Sequence, residues 1–272
     1  MTALSNEVRL HLFVSFDLAN ATVFKYRHTQ WIELFVEIMD YLSNNINRPK
    51  TWHFWKVNGD EIIFYCTDFE MKDLEDLVES LDNLMKECLV GFYNKYANIK
   101  DIMQLSLKAT TWVANIAEHD HETNNKPQST DYKIRRSNHF DFVGRETDIA
   151  FRIGKYSPRA KTSLSAALLY YLIKNKSKIL RQIRIVDYVM LKGVWNDKHY
   201  PIIWFIRSRS PLGIVNSFHY NEKYLNPCIM TLLNEIKKDK NYGLVKSKEF
   251  ETILDYIGVK KDYDNMFGFE AS

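Results

Sequence analysis

The 272-residue chain is 46% hydrophobic and 26% charged, enough for one substantial core, and its formal net charge of +3 is too small to mark a nucleic-acid binder. No apolar run approaches the ~20 residues of a bilayer span, and the opening MTALSNEVRLHLFVSFD lacks the charged-then-apolar order of a signal peptide, so a cytoplasmic protein is expected. Cys66, Cys88 and Cys228 are far apart without CxxC spacing, which argues against a zinc or redox motif and reads as three reduced thiols.

In VRLHLFVSFD (8–17), Leu10, Leu12, Val14 and Phe16 alternate onto one face and the run ends in a carboxylate, Asp17, as a core strand with a polar tip would. Trp31, Leu34, Phe35, Ile38, Met39 and Leu42 then recur at helical spacing. In TWHFWKVNGDEIIFYC (51–66), two runs of β-branched and aromatic residues flank Asn58-Gly59, the pattern of a two-residue hairpin with Val57 opposite Asp60 and Lys56 opposite Glu61. In that register Lys56 and Asp60 point to opposite faces of the ribbon. Thr67 and Glu70 have capping-box spacing ahead of a helix whose buried stripe is Leu74, Leu77, Val78, Leu81, Leu84, Met85, Cys88, Leu89 and Phe92. LSLKATTWVANI (105–116) reads as the next strand.

This βαββαβ order predicts an α+β fold of the ferredoxin-like or palm kind, an antiparallel sheet with helices on one face, and sets the tip of the first strand beside the hairpin. The polar stretch 118–137, broken by Pro127, reads as a surface-loop insertion. Its His119-Asp120-His121 cluster offers metal-ligating groups, but a loop gives them no outer shell of hydrogen bonds. Helical patterns over 147–156 and 163–174 and a second hairpin, YVMLKGVWNDKHYPIIWFI, turning near Asn196-Asp197, complete a domain over 1–206. Residues 207–272 form a C-terminal extension without an assigned role, with a helix over 227–237. Between Lys133 and Arg184 lie Arg135, Arg136, Arg145, Arg152, Lys155, Arg159, Lys161 and Lys178, which suit either a phosphorylated ligand or solvated helix faces.

Asp17 and Asp60 carry the chemistry. Two adjacent carboxylates repel unless a divalent cation sits between them, and a Mg²⁺ pair on two aspartates is the usual device for activating a ribose hydroxyl and neutralising a triphosphate. Two solvated carboxylates at strand ends is the competing reading of the same residues.

Three motifs in order carry a resemblance. FVSFDLANAT (13–22) is similar to the first metal-binding strand of class III nucleotidyl cyclases, and KVNGDE (56–61) to their hairpin. DFVGRETDIAFRI (141–153) resembles their third motif, with Asp141, Gly144, Asp148 and Arg152 on the base-reading, glycine, ribose-positioning and arginine positions. The wording of WKVNGDEIIFY and DFVGRETDIAFRI most resembles the bacterial pyrimidine cyclases of the Pycsar anti-phage defence system. Two departures stand out: Asp148 replaces an Asn common in the family, and LKGVWNDK keeps only Lys192-Gly193 of a KGKG run, leaving Lys192 and Lys198 as candidates for the terminal phosphates.

The resemblance implies a class III cyclase catalytic domain acting as a homodimer with composite sites. Asp17 and Asp60 would hold two Mn²⁺ or Mg²⁺ ions for one site, while Lys56, Asp141, Asp148 and Arg152 would serve the partner's. Arg152 and Asp148 would be catalytic, and Lys56, Asp141 and Lys192 substrate-binding. The implied product is the 3′,5′-cyclic nucleotide of CTP, with UTP close behind, sensed by a separate effector protein. An adenylate cyclase and a catalytically degenerate nucleotide-binding or dimerisation module are the alternatives. A GGDEF-type cyclase or polymerase palm shares the hairpin carboxylates but does not explain 141–152.

Overall fold

The computed structural model describes residues 8–47, 50–119, 129, 131–136, 139–206 and 245–269. The first strand, β1 (Arg9–Ala19), is followed by α1 (Ala21–Arg27) and α2 (Trp31–Asn45). The hairpin β2 (His53–Asn58) and β3 (Glu61–Cys66) leads to the long α3 (Leu74–Lys95) and to β4 (Ser106–His119). Beyond it come β5 (Asp131–Arg136), β6 (His139–Gly144), α4 (Arg145–Ile153), β7 (Thr162–Leu164) and α5 (Ala166–Lys174). The hairpin β8 (Ile183–Met190) and β9 (His199–Phe205) and two C-terminal helices, α6 (Ser247–Ile257) and α7 (Lys260–Phe267), complete the described chain.

One sheet runs β2-β3-β1-β4-β7-β9-β8, with β5 also on β4 and β6 on β5. β1 lies antiparallel between β3 and β4, as the sequence pattern predicts, whereas β5 and β7 add to β4 in parallel. The alternation of β1 sends Leu12, Val14, Phe16 and Leu18 into a large core with the stripes of α2, α3 and α5. Phe13 points the other way, into an aromatic cluster with Trp55, Tyr65, Trp112 and Phe142.

Four expectations are corrected. The hairpin register is shifted by one residue: Asn58 pairs with Glu61 and Val57 with Ile62, so Gly59 and Asp60 form the turn. Gly59 carries the positive φ, +68°, at the first turn position, where a residue without Cβ bears no strain. The capping box joins Glu70 and Asp73 rather than Thr67 and Glu70, because a 3₁₀ turn over Met71–Asp73 precedes α3. Residues 118–137 are not all loop, since β4 extends to His119 and polar β5 pairs with β4 and β6. The pattern over 163–174 begins as strand β7, and Ser165 caps α5 by accepting from Leu168 N at 3.2 Å.

Phe250 and Leu254 of α6 and Tyr263 of α7 are buried in the same core as α5. Tyr170 Oη donates to Asp264 at 2.5 Å and Asn115 Nδ2 to the Met266 carbonyl at 3.2 Å. Cys66 and Cys88 are buried free thiols, and burial pushes Cys88 up to about 12. Cys228, the pair Asp120-His121 and the helix expected over 227–237 lie outside the described residues.

Candidate active site

The register of three strands places Asp17 directly opposite Glu61 of β3 on one side and Lys108 of β4 on the other. Lys108 Nζ sits 2.8 Å from the Asp17 carboxylate and donates to the Gly154 carbonyl at 3.2 Å, tying the strand tip to the end of α4. Asp60 is one residue before Glu61, and its backbone carbonyl accepts from Leu18 N at 3.4 Å. Its carboxylate lies 4.0 Å from Lys25 of α1. Glu61 accepts from the Ser15 hydroxyl. Burial, with a smaller contribution from Asp17, pushes its carboxyl above the usual range.

These oxygens suit a hard cation. Asp17 stands near the end of β1 and Asp60 in the adjoining β2–β3 turn, both half-buried, each beside one lysine. Among the described residues no cluster of three or more His, Cys, Asp or Glu is arranged to hold a metal. The donor set fits the Mg²⁺ or Mn²⁺ manner of one or two carboxylates completed by water and phosphate, rather than an all-protein cage.

A second group forms where β2 meets β6. Lys56 Nζ donates to Asp141 Oδ1 at 2.8 Å, and Trp55 Nε1 and Phe142 N donate to the same oxygen at 3.1 Å each. Trp55 and Phe142 are both core residues of the aromatic cluster. Lys56 reaches Asp141, while Asp60 at the turn reaches α1, so the two charges make their contacts with different elements.

The third group is on α4. Its buried face is Ile149, Ala150 and Ile153, which leaves Asp148 and Arg152, one turn apart, directed away from the core. Arg152 donates to the Lys192 carbonyl. The Asp148 carboxylate makes no hydrogen bond or ion pair with any described residue. The Lys192 side chain is exposed, whereas Lys198 donates to the Tyr256 carbonyl at 3.1 Å and lies 4.6 Å over its ring, so α6 occupies that second lysine.

Underneath, the buried Asp131 carboxylate accepts from Glu146 N and Thr147 N at 3.1 and 2.9 Å, capping α4 from β5. Glu146 is fully buried and burial pushes its carboxyl up to about 7, with Asp131 adding to the rise and Arg145 opposing it. Arg145 also donates to Asp262 of α7 at 2.6 Å.

The seven residues singled out from sequence thus form three groups within one chain: Asp17 with Asp60, Lys56 with Asp141, and Arg152 with Asp148 and the Lys192 turn. Lys108, Lys25 and Glu61 carry no site role in the sequence pattern, whereas Trp55 and Phe142 read there as core residues whose bulk could also fill the space a purine base needs. Lys108, at the strand position facing Asp17, becomes visible only once β1 and β4 are set in register. The basic middle third is not one patch: Lys133 and Arg135 face Glu118, Arg145 faces α7, and Lys161 is buried.

No protein-family model and no curated protein sequence matches the chain. Solved structures do. The adenylyl cyclase CyaB from P. aeruginosa superposes with a TM-score of 0.55 at 19% identity, over 76% of this chain and 100% of that one. The guanylyl cyclase Cya2 gives 0.54 at 13%, over 76% and 96%. An adenylate cyclase from Trypanosoma brucei gives 0.51 at 12%, over 74% and 90%. At these identities the likeness establishes the fold, an α+β nucleotidyl-cyclase catalytic fold. Among the described residues no helix is long and apolar enough to cross a membrane.

Proposed function

We propose that this chain is a nucleotidyl cyclase that converts a pyrimidine nucleoside triphosphate, CTP before UTP, to its 3′,5′-cyclic nucleotide and pyrophosphate. The observation that carries the reading is that Asp17 lies opposite Glu61 on β3, with Asp60 next to Glu61 in the hairpin turn and bonded through its carbonyl to Leu18 N, on a fold shared with solved cyclases. In the reaction the ribose 3′-oxygen bonds to the α-phosphorus, the α–β bridging oxygen departs with pyrophosphate, and the hydroxyl proton passes to solvent. Asp17 and Asp60 would hold the divalent cations, two per site, which when bound would supply Lewis-acid polarisation and charge neutralisation. Arg152 offers its guanidinium to the α-phosphate oxygens as charge builds, Asp148 accepts from a ribose hydroxyl, and Lys192 meets the terminal phosphates.

A homodimer with shared sites accounts for the three separate groups. Among the described residues no hydrogen bond or ion pair links the Asp17–Asp60 pair to Lys56–Asp141, Asp148 or Arg152, so a partner that brings its base-reading and arginine groups to these carboxylates would complete the site. Mixing inactive Asp60→Ala with inactive Arg152→Ala subunits then restores product in heterodimers that hold one intact site. Demonstrated subunit exchange without returning activity rejects the shared site.

For the base, Lys56 is a donor and Asp141 an acceptor, held side by side. Cytosine and adenine present the complementary edge, an acceptor ring nitrogen beside an amino donor, and uracil and guanine invert it. The likeness of the motifs to pyrimidine cyclases selects cytosine from the first pair, and in that setting the product acts as a defence messenger read by a separate effector protein. Incubation with equal amounts of the four NTPs and Mn²⁺, with products identified by mass, tests this. Mainly cyclic CMP is expected. Mainly cyclic UMP rejects the edge argument, mainly cyclic AMP rejects the pyrimidine assignment, and no cyclic product rejects the cyclase reading.

A further inference from the structure

Strand β2 contains a β-bulge at Trp55. Phe54 pairs with Phe64 and Lys56 with Ile63, adjacent residues of β3, so Trp55 is the extra residue between them. In a regular strand consecutive side chains point to opposite faces, and a bulge re-aims one of them. Here Trp55 and Lys56, neighbours in sequence, both reach Asp141 Oδ1, at 3.1 and 2.8 Å, and the ammonium lies 4.2 Å over the indole ring. Phe142 N adds a third donor to that oxygen at 3.1 Å. The indole is 6% exposed and stands edge-on to Phe13 and Phe142, with centroids 5.8 and 5.0 Å away, so packing fixes its direction.

Asp141 Oδ2 receives no hydrogen bond from any described residue. The side chains of Asp141 and Lys56 are 49% and 34% exposed, so acceptor and cation are both open to a ligand. A carboxylate with one oxygen held by three donors cannot exchange its oxygens by rotation without breaking them. An ammonium with one proton committed keeps two for a ligand.

We infer that Trp55 is a positioning residue for nucleobase selection: with Lys56 and Phe142 N it fixes Asp141 Oδ1, so that Oδ2 and Lys56 form one oriented acceptor–donor edge. This rests on the nucleotide-cyclising reading. An oriented edge discriminates between bases that a freely rotating carboxylate would accept alike, and Trp55 therefore acts on selectivity rather than on the chemical step.

Trp55→Phe keeps an aromatic ring in the cluster and removes the N–H. In competition among the four NTPs, its preference for the favoured nucleotide over the next falls about tenfold, the scale of one hydrogen bond to a charged group. The change is expected in KM, with kcat within about twofold. In an Asp141→Ala background the further change Trp55→Phe alters nothing more, because Trp55 acts through Asp141. An unaltered preference in Trp55→Phe, or effects that simply add in the double variant, overturns the inference. Should Trp55→Phe fail to fold, the indole N–H resonance of Trp55 in ¹⁵N-labelled protein decides: it moves upfield in Asp141→Ala, and an unmoved resonance overturns the assignment. A wild-type protein that makes no cyclic nucleotide fails the cyclase reading instead, and the resonance test still separates that failure from this one.

Discussion

The strand tips and helix α4 reach their geometry by different routes. At the tips, Asp17 faces Glu61 and Lys108 because three neighbouring strands are in register, and backbone hydrogen bonds hold that register whatever the side chains are. On α4, Asp148 and Arg152 face outward, and what fixes them lies beneath: Asp131 capping from β5, a fully buried Glu146, and Arg145 reaching α7. A site set by register tolerates the loss of one charge. A site standing on a buried polar base transmits such a loss to the fold.

Removing a carboxylate at the tips is expected to give the largest effect and the cleanest separation of activity from stability. Asp17→Ala or Asp60→Ala should lower cyclic product formation about a thousandfold or more, because metal polarisation is worth several kcal/mol and each ~1.4 kcal/mol is a decade. Thermal unfolding should hardly move: relief of carboxylate repulsion offsets the loss of a partly exposed lysine contact worth ~0–1 kcal/mol. Wild-type turnover at saturating Mn²⁺ rejects the metal assignment. A collapse in melting temperature shows that the tips are not set by register alone.

Glu146 tests the other side of the comparison. Burial holds its proton up to about pH 7 against an ordinary 4.5, so between those values the folded state binds more protons than the unfolded state. Stability therefore falls as pH rises through that window, by up to ~3 kcal/mol if this group alone is counted. Buried His11, lowered from 6.5 to about 4, acts in the opposite sense below pH 6.5, so the readout is the difference: denaturant unfolding at intervals from pH 5 to pH 8 should show stability falling more steeply, or rising less, with pH in the wild type than in Glu146→Gln. Parallel slopes in the two proteins would show that the buried base under α4 does not titrate there. Asp17→Ala should keep the wild-type slope.

The same contrast explains what the sequence reveals. β1, the hairpin and α3 announce themselves through period-2 and period-3.6 patterns, and Asp17 and Asp60 are visible as carboxylates at the ends of such patterns. Alternation also places Lys56 on a strand, but it assigns Trp55 and Lys56 to opposite faces, because a bulge leaves no mark in composition. β5 is hidden by its polar sequence, DYKIRR, whose first residue is spent capping a helix that begins 14 residues later. Lys108 looks like any strand lysine until the register with β1 is known. In α7, the burial of Tyr263 depends on packing against the core that includes α5, which no local pattern encodes.

The smallest expected effect lies where the two routes can be compared on one residue, Arg145. Its contact with Asp262 is short, 2.6 Å, but the side chains are 33% and 44% exposed, so solvent screens the pair and Asp262→Ala should cost only ~0.5–1 kcal/mol. Arg145 then turns to water and keeps its bond to Glu146 Oε1 at 3.1 Å, while the Asp131 cap, fully buried, stays intact. Asp131→Ala removes two hydrogen bonds from buried backbone N–H groups and should cost ~2 kcal/mol or more. Equilibrium unfolding of the two variants side by side measures the difference. Equal losses would mean that α7 supports α4 as strongly as β5 does, and would place the C-terminal helices within the structural base of the site rather than at its margin.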